Sequence, residues 1–151
     1  MKRNFLFAFC FSLLGALLAL WPAASSPTDT IVCNYIHPDC LSNHWLLVWV
    51  AEQIASGHSI LHNSSYYWPI GDAPWLAGNG SEGFFYLPFH LLLGWPLGSN
   101  VYFVLIFVLN GLSAWHLVGS LGASPKASWA AAFSGALFVY VIHEIGAGRF
   151  S

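Results

Sequence analysis

The chain has 151 residues, of which 57% are hydrophobic, 17% aromatic and 7% charged. A water-soluble domain carries about a quarter charged residues and a disordered segment is poor in apolar residues, so the composition excludes both classes. Four Lys and Arg against six Asp and Glu leave no basic surface for phosphates, which excludes nucleic acid as a partner. The composition therefore predicts an integral membrane protein whose first partner is the lipid bilayer.

The first predicted span covers residues 4–24, which carry no Asp, Glu, Lys or Arg. About 20 apolar residues at about 1.5 Å each cross a hydrocarbon core about 30 Å thick. Lys2 and Arg3 precede this stretch and small residues follow Pro22, so a cleaved signal peptide is the alternative interpretation. Both interpretations export the segment that follows.

A second stretch without Asp, Glu, Lys or Arg, residues 83–125, is too long for one helix. Gly94 and Pro96 interrupt it near the middle, because neither residue favours a helix interior. We therefore predict a short interfacial or re-entrant helix over residues 84–95 and a full span over residues 101–121.

A third span is predicted over residues 127–145, after a short turn that leads to Lys126. The short turn makes the second and third spans antiparallel neighbours. Small residues recur at every fourth position at the start of the third span, a spacing that lets helix backbones approach closely. These residues are Ala127, Ala131 and Gly135.

The basic residues set the predicted orientation. Lys2 and Arg3 precede the first span and Lys126 lies between the other two, and basic residues in short loops favour the cytoplasm. The N-terminus and the turn before Lys126 are therefore predicted to be cytoplasmic, whereas residues 25–100 are exported. The fold class that follows is an all-α polytopic membrane protein with about three transmembrane helices.

An amphipathic helix is predicted over residues 41–56 of the exported segment. Asp39 or Ser42 can cap its start, and Gly57 can end it in a left-handed conformation. A helix with tryptophans near its polar face belongs at a membrane surface, either as an anchor or as a platform whose indoles face a sugar or a prenyl chain. The two residues concerned are Trp45 and Trp49.

Most of the ionisable chemistry also lies in the exported segment. Five of the six acidic residues fall within residues 29–82. Residues 58–82 are rich in Gly, Pro, Asn and aromatic residues and show no helical period, so we predict an ordered loop there. Any catalysis or ligand binding is therefore expected on the exported side.

Four residue types that bind metals fall close together in the sequence: Cys33, His37, Cys40 and His44. Pro38 would interrupt a helix that carried all four, and their spacing is not a common zinc pattern. In an oxidising exterior a Cys33–Cys40 disulfide is the ordinary outcome. Free thiols and a metal site stay open as alternatives.

The features also follow one another in an informative order. A basic N-terminus and one span precede an early exported Asp, a W-x3-W helix, a YY-x-P-x-G-D segment, an apolar half-helix and a span that ends in a short basic turn. In this order the chain resembles the start of bacterial GT-C-type membrane glycosyltransferases. The residues that carry the resemblance are Asp39, Trp45, Trp49, Tyr66, Tyr67, Pro69, Gly71 and Asp72, then residues 109–114 and 144–149.

The resemblance implies an enzyme that transfers a sugar from a polyprenyl-phosphate donor to an acceptor at the outer face of the bacterial inner membrane. An acidic residue in the first exported loop would be the catalytic base, with Asp39 as first candidate, Asp29 as second and His44 to orient or tune it. No motif identifies a cofactor, and a divalent metal is left open. The candidate substrate-binding residues carry aromatic rings, carboxylates or a guanidinium: Trp45, Trp49, Tyr67, Asp72, Glu82 and Arg149.

The length of the chain departs from this family, whose members are several times longer. We therefore expect an N-terminal module that is inactive alone and is completed by the remaining transmembrane helices of the same or another chain. Two other functions stay open on the sequence alone. One is a metal- or haem-binding membrane subunit that uses Cys33, His37, Cys40 and His44, and the other is a non-catalytic membrane assembly subunit.

Overall fold

The computed structural model describes residues 2–21, 23–31, 38–63, 73–74 and 80–137. The predicted all-α class is confirmed, because helices account for nearly all regular structure in these residues. A two-residue antiparallel pairing is the exception, with His62 opposite Pro74. The elements are α1 (Lys2–Ala19), α2 (Pro38–Ala55), β1 (His62–Asn63), β2 (Ala73–Pro74), α3 (Gly80–Leu93), α4 (Leu97–Ser120) and α5 (Pro125–Ala136).

Three of the helices, α1, α4 and α5, form a three-helix bundle. Phe5 near the start of α1 lies against Trp115 near the end of α4, with ring centroids 6.0 Å apart. Ser12, two turns further along α1, lies against Gly111, one turn earlier in α4. The helix α4 therefore runs antiparallel to α1, and the turn at residues 121–124 makes it antiparallel to α5 as well.

Small residues set the distance between the bundle helices. A Cβ atom added to Gly111 would lie 2.5 Å from the backbone oxygen of Ala132 and would also strike the side chain of Ser12. One turn further along the same face of α5, a Cβ on Gly15 would lie 2.9 Å from the Cβ of Ala136. The backbones thus touch with no room for one more methyl group, as small residues allow between membrane helices.

The buried stripe of α5 is one residue along from the predicted one. Ala127, the first residue of the predicted stripe, is exposed, whereas Gly135, the last, packs against Ala114. The register depends on which turns of α4 face α5, and the periodicity of α5 alone does not contain that information. The residues buried on α5 are Ser128, Ala132 and Ala136.

The other two helices, the α2–α3 pair, pack on each other and over the first half of α4. Gly83 of α3 contacts Val50 of α2, and Gly98 of α4 lies against the backbone of Phe89. The shared apolar core is built from both groups of helices. Its buried members are Ala16, Leu20, Leu47, Ala51, Tyr86, Tyr102, Phe103, Phe107 and Val108.

The end of α2 is as predicted. Gly57 has φ +69°, its N–H donates to Ile54 O at 3.1 Å, and the N–H of His58 donates to Gln53 O at 2.8 Å. This pair of bonds satisfies carbonyls that the helix end would leave free, and glycine adopts the left-handed conformation that it requires without steric cost.

The start of α2 differs from the prediction. The helix begins at Pro38, so Asp39 and Ser42 lie inside it and neither is the capping residue. Proline fits the first turn of a helix because its missing N–H has no partner there in any case.

The first helix is shorter than the predicted span of residues 4–24. It ends at Ala19, and turns follow it. Trp21 precedes Pro22 in the sequence, and the residue before a proline disfavours the helical conformation. An apolar stretch can therefore continue beyond the point where its helix ends.

The predicted break between α3 and α4 is confirmed at Gly94, which has φ +68°. The helices that flank it are longer than predicted, since α3 runs over Gly80–Leu93 and α4 starts at Leu97. The predicted loop of residues 58–82 therefore ends earlier. Glu82 lies in the first helical turn of α3, where the helix dipole favours a carboxylate.

Within the described residues, α4 is the helix long and apolar enough to cross a membrane. Its 24 residues extend about 36 Å. The apolar part of α1, Asn4–Ala19, is shorter, and α5 is described over 12 residues. Length and composition therefore support the predicted span over residues 101–121, whereas the spans predicted over residues 4–24 and 127–145 stay predictions.

Candidate functional site

Two consecutive residues in the first turn of α4 connect separate parts of the chain. The Oγ of Ser99 lies 3.1 Å from Nδ1 of His44 on α2. The amide nitrogen of Asn100 donates to the backbone oxygens of Pro27 at 2.8 Å and Thr30 at 2.6 Å. His44, Ser99 and Asn100 are all buried. These bonds hold α2 and the loop of residues 26–30 beside each other at one end of α4.

The loop carries Asp29, the second candidate for the catalytic base. Its carboxylate is exposed and accepts hydrogen bonds from Thr28 Oγ1 at 3.0 Å and Ser26 Oγ at 3.3 Å. The backbone N–H of Asp29 donates to Ser26 O at 3.2 Å. Asp29 is therefore an ordered, solvent-facing carboxylate on a loop that Asn100 anchors.

Asp39, the first candidate for the base, lies in the first turn of α2. It precedes His44 by five residues, which is about 7.5 Å along a helix axis. The first turn of a helix stabilises a carboxylate through the helix dipole. Because Ser99 holds α2, the backbone of Asp39 belongs to the same end of the molecule as Asp29. The contacts of its side chain lie outside the described structure.

The two tryptophans of α2 differ in exposure. Trp45 is 40% exposed and Trp49 is 8% exposed, and their rings stack with centroids 6.3 Å apart. The prediction that both lie on the polar side is therefore wrong for Trp49. Trp49 is buried beside Val50, so neighbouring elements cover the part of α2 that carries Trp49. Trp45 keeps a ring surface that a ligand can reach.

The structure describes some of the remaining candidate residues and not others. Glu82 is half-buried in the first turn of α3. Within the described ranges, no group of three or more His, Cys, Asp or Glu side chains is arranged to hold a metal ion. The alternative metal-binding set of Cys33, His37, Cys40 and His44 lies only partly within those ranges, so it stays a prediction. The candidates outside them are Tyr67, Asp72, Arg149, Cys33 and His37, together with the side chain of Cys40.

A polar cluster between α2 and α3 was not predicted. Nε2 of His90 lies 4.0 Å from Oε1 of Glu52, and the rings of His90 and Tyr86 have centroids 5.7 Å apart. Burial raises the pKa of Tyr86 to about 12, with a further contribution from the negative charge of Glu52. The four-residue spacing of Tyr86 and His90 indicates that they share a helix face, but no pattern in the sequence pairs that face with Glu52.

Charge is divided between the two ends of the bundle. Three basic residues have helix positions at the end where α4 finishes: Lys2 and Arg3 begin α1, and Lys126 lies in the first turn of α5. Four acidic residues have backbone positions at the end where α4 begins, in the anchored loop or on the α2–α3 pair. These acids are Asp29, Asp39, Glu52 and Glu82.

Comparison with known proteins adds no relative that could identify the site. No family model matches the chain, and no curated protein or solved structure is significantly similar to it. The function has to be inferred from the residues themselves.

Proposed function

We propose that this chain is the N-terminal module of an integral-membrane glycosyltransferase. In this proposal the enzyme transfers a sugar from a polyprenyl-phosphate donor to an acceptor hydroxyl at the outer face of the bacterial inner membrane. The observation that carries the proposal is the junction at Ser99 and Asn100, which holds His44 and the loop of Asp29 beside the start of an apolar helix. Carboxylates at the end of a membrane helix can meet a donor whose lipid tail lies in the bilayer.

The chemistry that we assign to this end is general base catalysis. As the acceptor hydroxyl attacks the sugar carbon, its proton must pass to a base, and a carboxylate within hydrogen-bond reach accepts it. We assign this role to Asp39 first and to Asp29 second. His44 is a positioning residue, because its Nδ1 is engaged with Ser99.

We assign substrate binding to the aromatic, acidic and basic side chains that the sequence predicts for this role. The exposed ring of Trp45 offers an apolar surface to a sugar or a prenyl chain. Trp49 stacks against that ring. We assign the other contacts to Tyr67, Asp72 and Glu82, and the donor phosphate to Arg149, whose guanidinium matches phosphate oxygens. The remaining helices that enclose the lipid tail would come from the same or another chain.

The division of charge supports the membrane orientation in this proposal. Basic residues favour the cytoplasmic side, so the end with Lys2, Arg3 and Lys126 would lie in the cytoplasm. The helix α1 would then lead out, α4 would return and α5 would lead out again. This places the α2–α3 pair and the loop of Asp29 at the outer leaflet.

Cysteine labelling tests this orientation. In a variant whose three cysteines are replaced by serine, single cysteines are introduced by Asn63→Cys and by Ala123→Cys. We expect a membrane-impermeant maleimide applied to intact spheroplasts to label the first and to label the second only after lysis. The reverse pattern would show that the proposed orientation is wrong.

A transfer assay tests the chemistry. The protein is produced with every residue that its reading frame encodes, and membranes are supplied with undecaprenyl-phosphate-linked mannose, glucose or arabinose that carries a radiolabel. If Asp39 is the base, Asp39→Asn should slow transfer at least about 100-fold, because that is the usual contribution of a general base.

Two further variants show whether the loss of transfer is specific to Asp39 and which carboxylate is the base. Ser120→Ala, at the other end of α4, is the matched control and should transfer at the unaltered rate. If Asp29→Asn is inactive while Asp39→Asn is active, Asp29 is the base. If the unaltered protein transfers none of the three sugars and binds no polyprenyl phosphate, the proposed function is refuted.

A further inference from the structure

A carboxamide near the middle of α4 has no hydrogen-bond partner among the described residues. Asn110 is half-buried, so part of it is open at the surface of the bundle, and its side chain forms no hydrogen bond within the described ranges. It lies about 15 Å from the closer end of this 24-residue helix. If α4 crosses the bilayer, Asn110 lies deep in the hydrocarbon core, where water does not replace a missing partner.

Three other polar side chains of α4 show how such groups are satisfied in this helix. Ser113 Oγ donates to Leu109 O at 2.8 Å and Ser120 Oγ donates to Leu117 O at 2.7 Å, both within the helix. Asn100 donates to the anchored loop. An amide left unpaired in hydrocarbon costs free energy, and membrane helices remove that cost by hydrogen bonds to a neighbouring helix.

The face of α4 that carries Asn110 is open. Asn110, Ser113 and Leu117 share this face, because they follow the spacing i, i+3 and i+7. Ser113 is exposed, and Leu117 is 59% exposed. The helix α4 contains no Asp, Glu, Lys or Arg, so no like charges would oppose the approach of two identical faces.

The small-residue stripe predicted on α5 borders this face. Ala127 is exposed, and Ala131 and Gly135 are half-buried, so the bundle leaves the stripe partly open. A Cβ on Gly135 would lie 3.2 Å from the backbone oxygen of Asn110. Small residues beside a polar one let another helix approach closely enough for a hydrogen bond between helices.

We propose that the face of Asn110 binds a second copy of this chain, with the two Asn110 side chains paired across a two-fold axis. A carboxamide has both N–H donors and an acceptor oxygen, so it is complementary to itself. In a two-fold contact each amide donates to the other, and one residue satisfies both sides. The pair rests on the membrane location of α4 in the proposed function and not on its chemistry.

Disulfide formation in membranes tests the contact. The protein is produced with every residue that its reading frame encodes, all its cysteines are replaced by serine, and Ser113→Cys introduces a single cysteine one turn from Asn110. We expect oxidation by copper phenanthroline to give a disulfide-linked dimer, because this position lies close to the axis in both copies. Leu105→Cys is the matched control. That residue is also exposed, but it lies about 140° around the helix from Asn110, so it should stay monomeric.

Energy transfer between labelled copies in lipid vesicles measures the strength of the pair. Asn110→Leu should weaken self-association about tenfold, the effect expected for the loss of hydrogen bonds between two membrane helices. Asn110→Gln keeps the amide and should retain most of the association. Circular dichroism should show that both variants keep their helix content.

Three results would each refute the pair. They are no disulfide from Ser113→Cys, equal yields from Ser113→Cys and Leu105→Cys, and equal self-association of Asn110→Leu and the unaltered protein. A protein that stays monomeric would show that a helix other than a second copy covers Asn110.

The outcome is separable from the transfer assay. Transfer by a protein that does not self-associate would refute the pair and keep the proposed enzyme. Self-association that depends on Asn110, in a protein that neither transfers sugar nor binds polyprenyl phosphate, would keep the pair and refute the enzyme.

Discussion

The three-helix bundle and the α2–α3 pair with its anchored loop are held together by different interactions. In the bundle, backbones touch at Gly15, Gly111 and Gly135, and packing leaves no space for added atoms. At the start of α4, buried side chains reach across elements through hydrogen bonds, as between His44 and Ser99. The bundle should therefore be sensitive to added volume, whereas the second region should be sensitive to the loss of single polar atoms.

The largest effect is expected for Gly111→Ala in the bundle. The added Cβ would lie 2.5 Å from the oxygen of Ala132, which is backbone and cannot turn aside. Overpacking of this kind costs about 3 kcal/mol, more than the roughly 1 kcal/mol that alanine gains over glycine in a helix. Unfolding by SDS in mixed micelles, followed by circular dichroism, would measure the loss of stability.

Gly119→Ala is the matched control, in the same helix. Its Cβ would lie 3.6 Å from Oγ of Ser128, an ordinary contact. We expect unchanged or slightly higher stability. Equal destabilisation by both substitutions would show that close approach at Gly111 does not hold the bundle together.

The second largest effect is expected for Asn100→Ala. The substitution removes the donor that serves the backbone oxygens of both Pro27 and Thr30, so we expect a loss of about 2 kcal/mol. Amide hydrogen exchange in residues 26–30 should become faster. Asn110→Ala, about 15 Å further along α4, should leave that exchange unchanged. Equal exchange in the two variants would contradict an anchoring role for Asn100.

A smaller effect is expected for Gly83→Ala, between α2 and α3. The added Cβ would lie 2.5 Å from Cβ of Val50, a side chain rather than backbone, so we expect a loss of about 1–2 kcal/mol. The double variant with Val50→Ala should recover part of the stability, because the smaller residue leaves space for the methyl group. Additive losses would show that the two residues do not compete for one space.

The smallest effect is expected for Ser99→Ala. His44 loses the partner of its Nδ1, which should cost about 1 kcal/mol. Transfer should fall with Ser99→Ala more than with Ser113→Ala, whose hydroxyl bonds only within its own helix, to Leu109 O. Equal transfer rates would mean that Ser99 does not position His44 for the reaction.

Local features of the fold could be predicted from the sequence. The left-handed end of α2 at Gly57 and the break at Gly94 depend on glycine conformation, which neighbouring residues reveal. The start of α2 at Pro38 and the end of α1 at Ala19 were placed wrongly, because apolar composition shows which residues avoid water and not where a helix stops.

The candidate site could be predicted less well. Asp29 and His44 were identified by residue type, but the bonds that hold them involve Ser99 and Asn100, far away in the sequence. Glu52 and His90 meet only because α2 packs against α3, and that pairing leaves no trace in either helix alone. The burial of Trp49 has the same origin, since neighbouring elements and not its own sequence decide its exposure.

The contact between Ser12 and Gly111 has a consequence for biosynthesis. A ribosome that adds about 5–20 residues per second takes roughly 5–20 s to proceed from one residue to the other. During this delay α1 is already made, and its serine hydroxyl has no α4 to cover it. The contact that buries Ser12 therefore forms late in synthesis, when the α4–α5 hairpin packs on a helix that was made long before it.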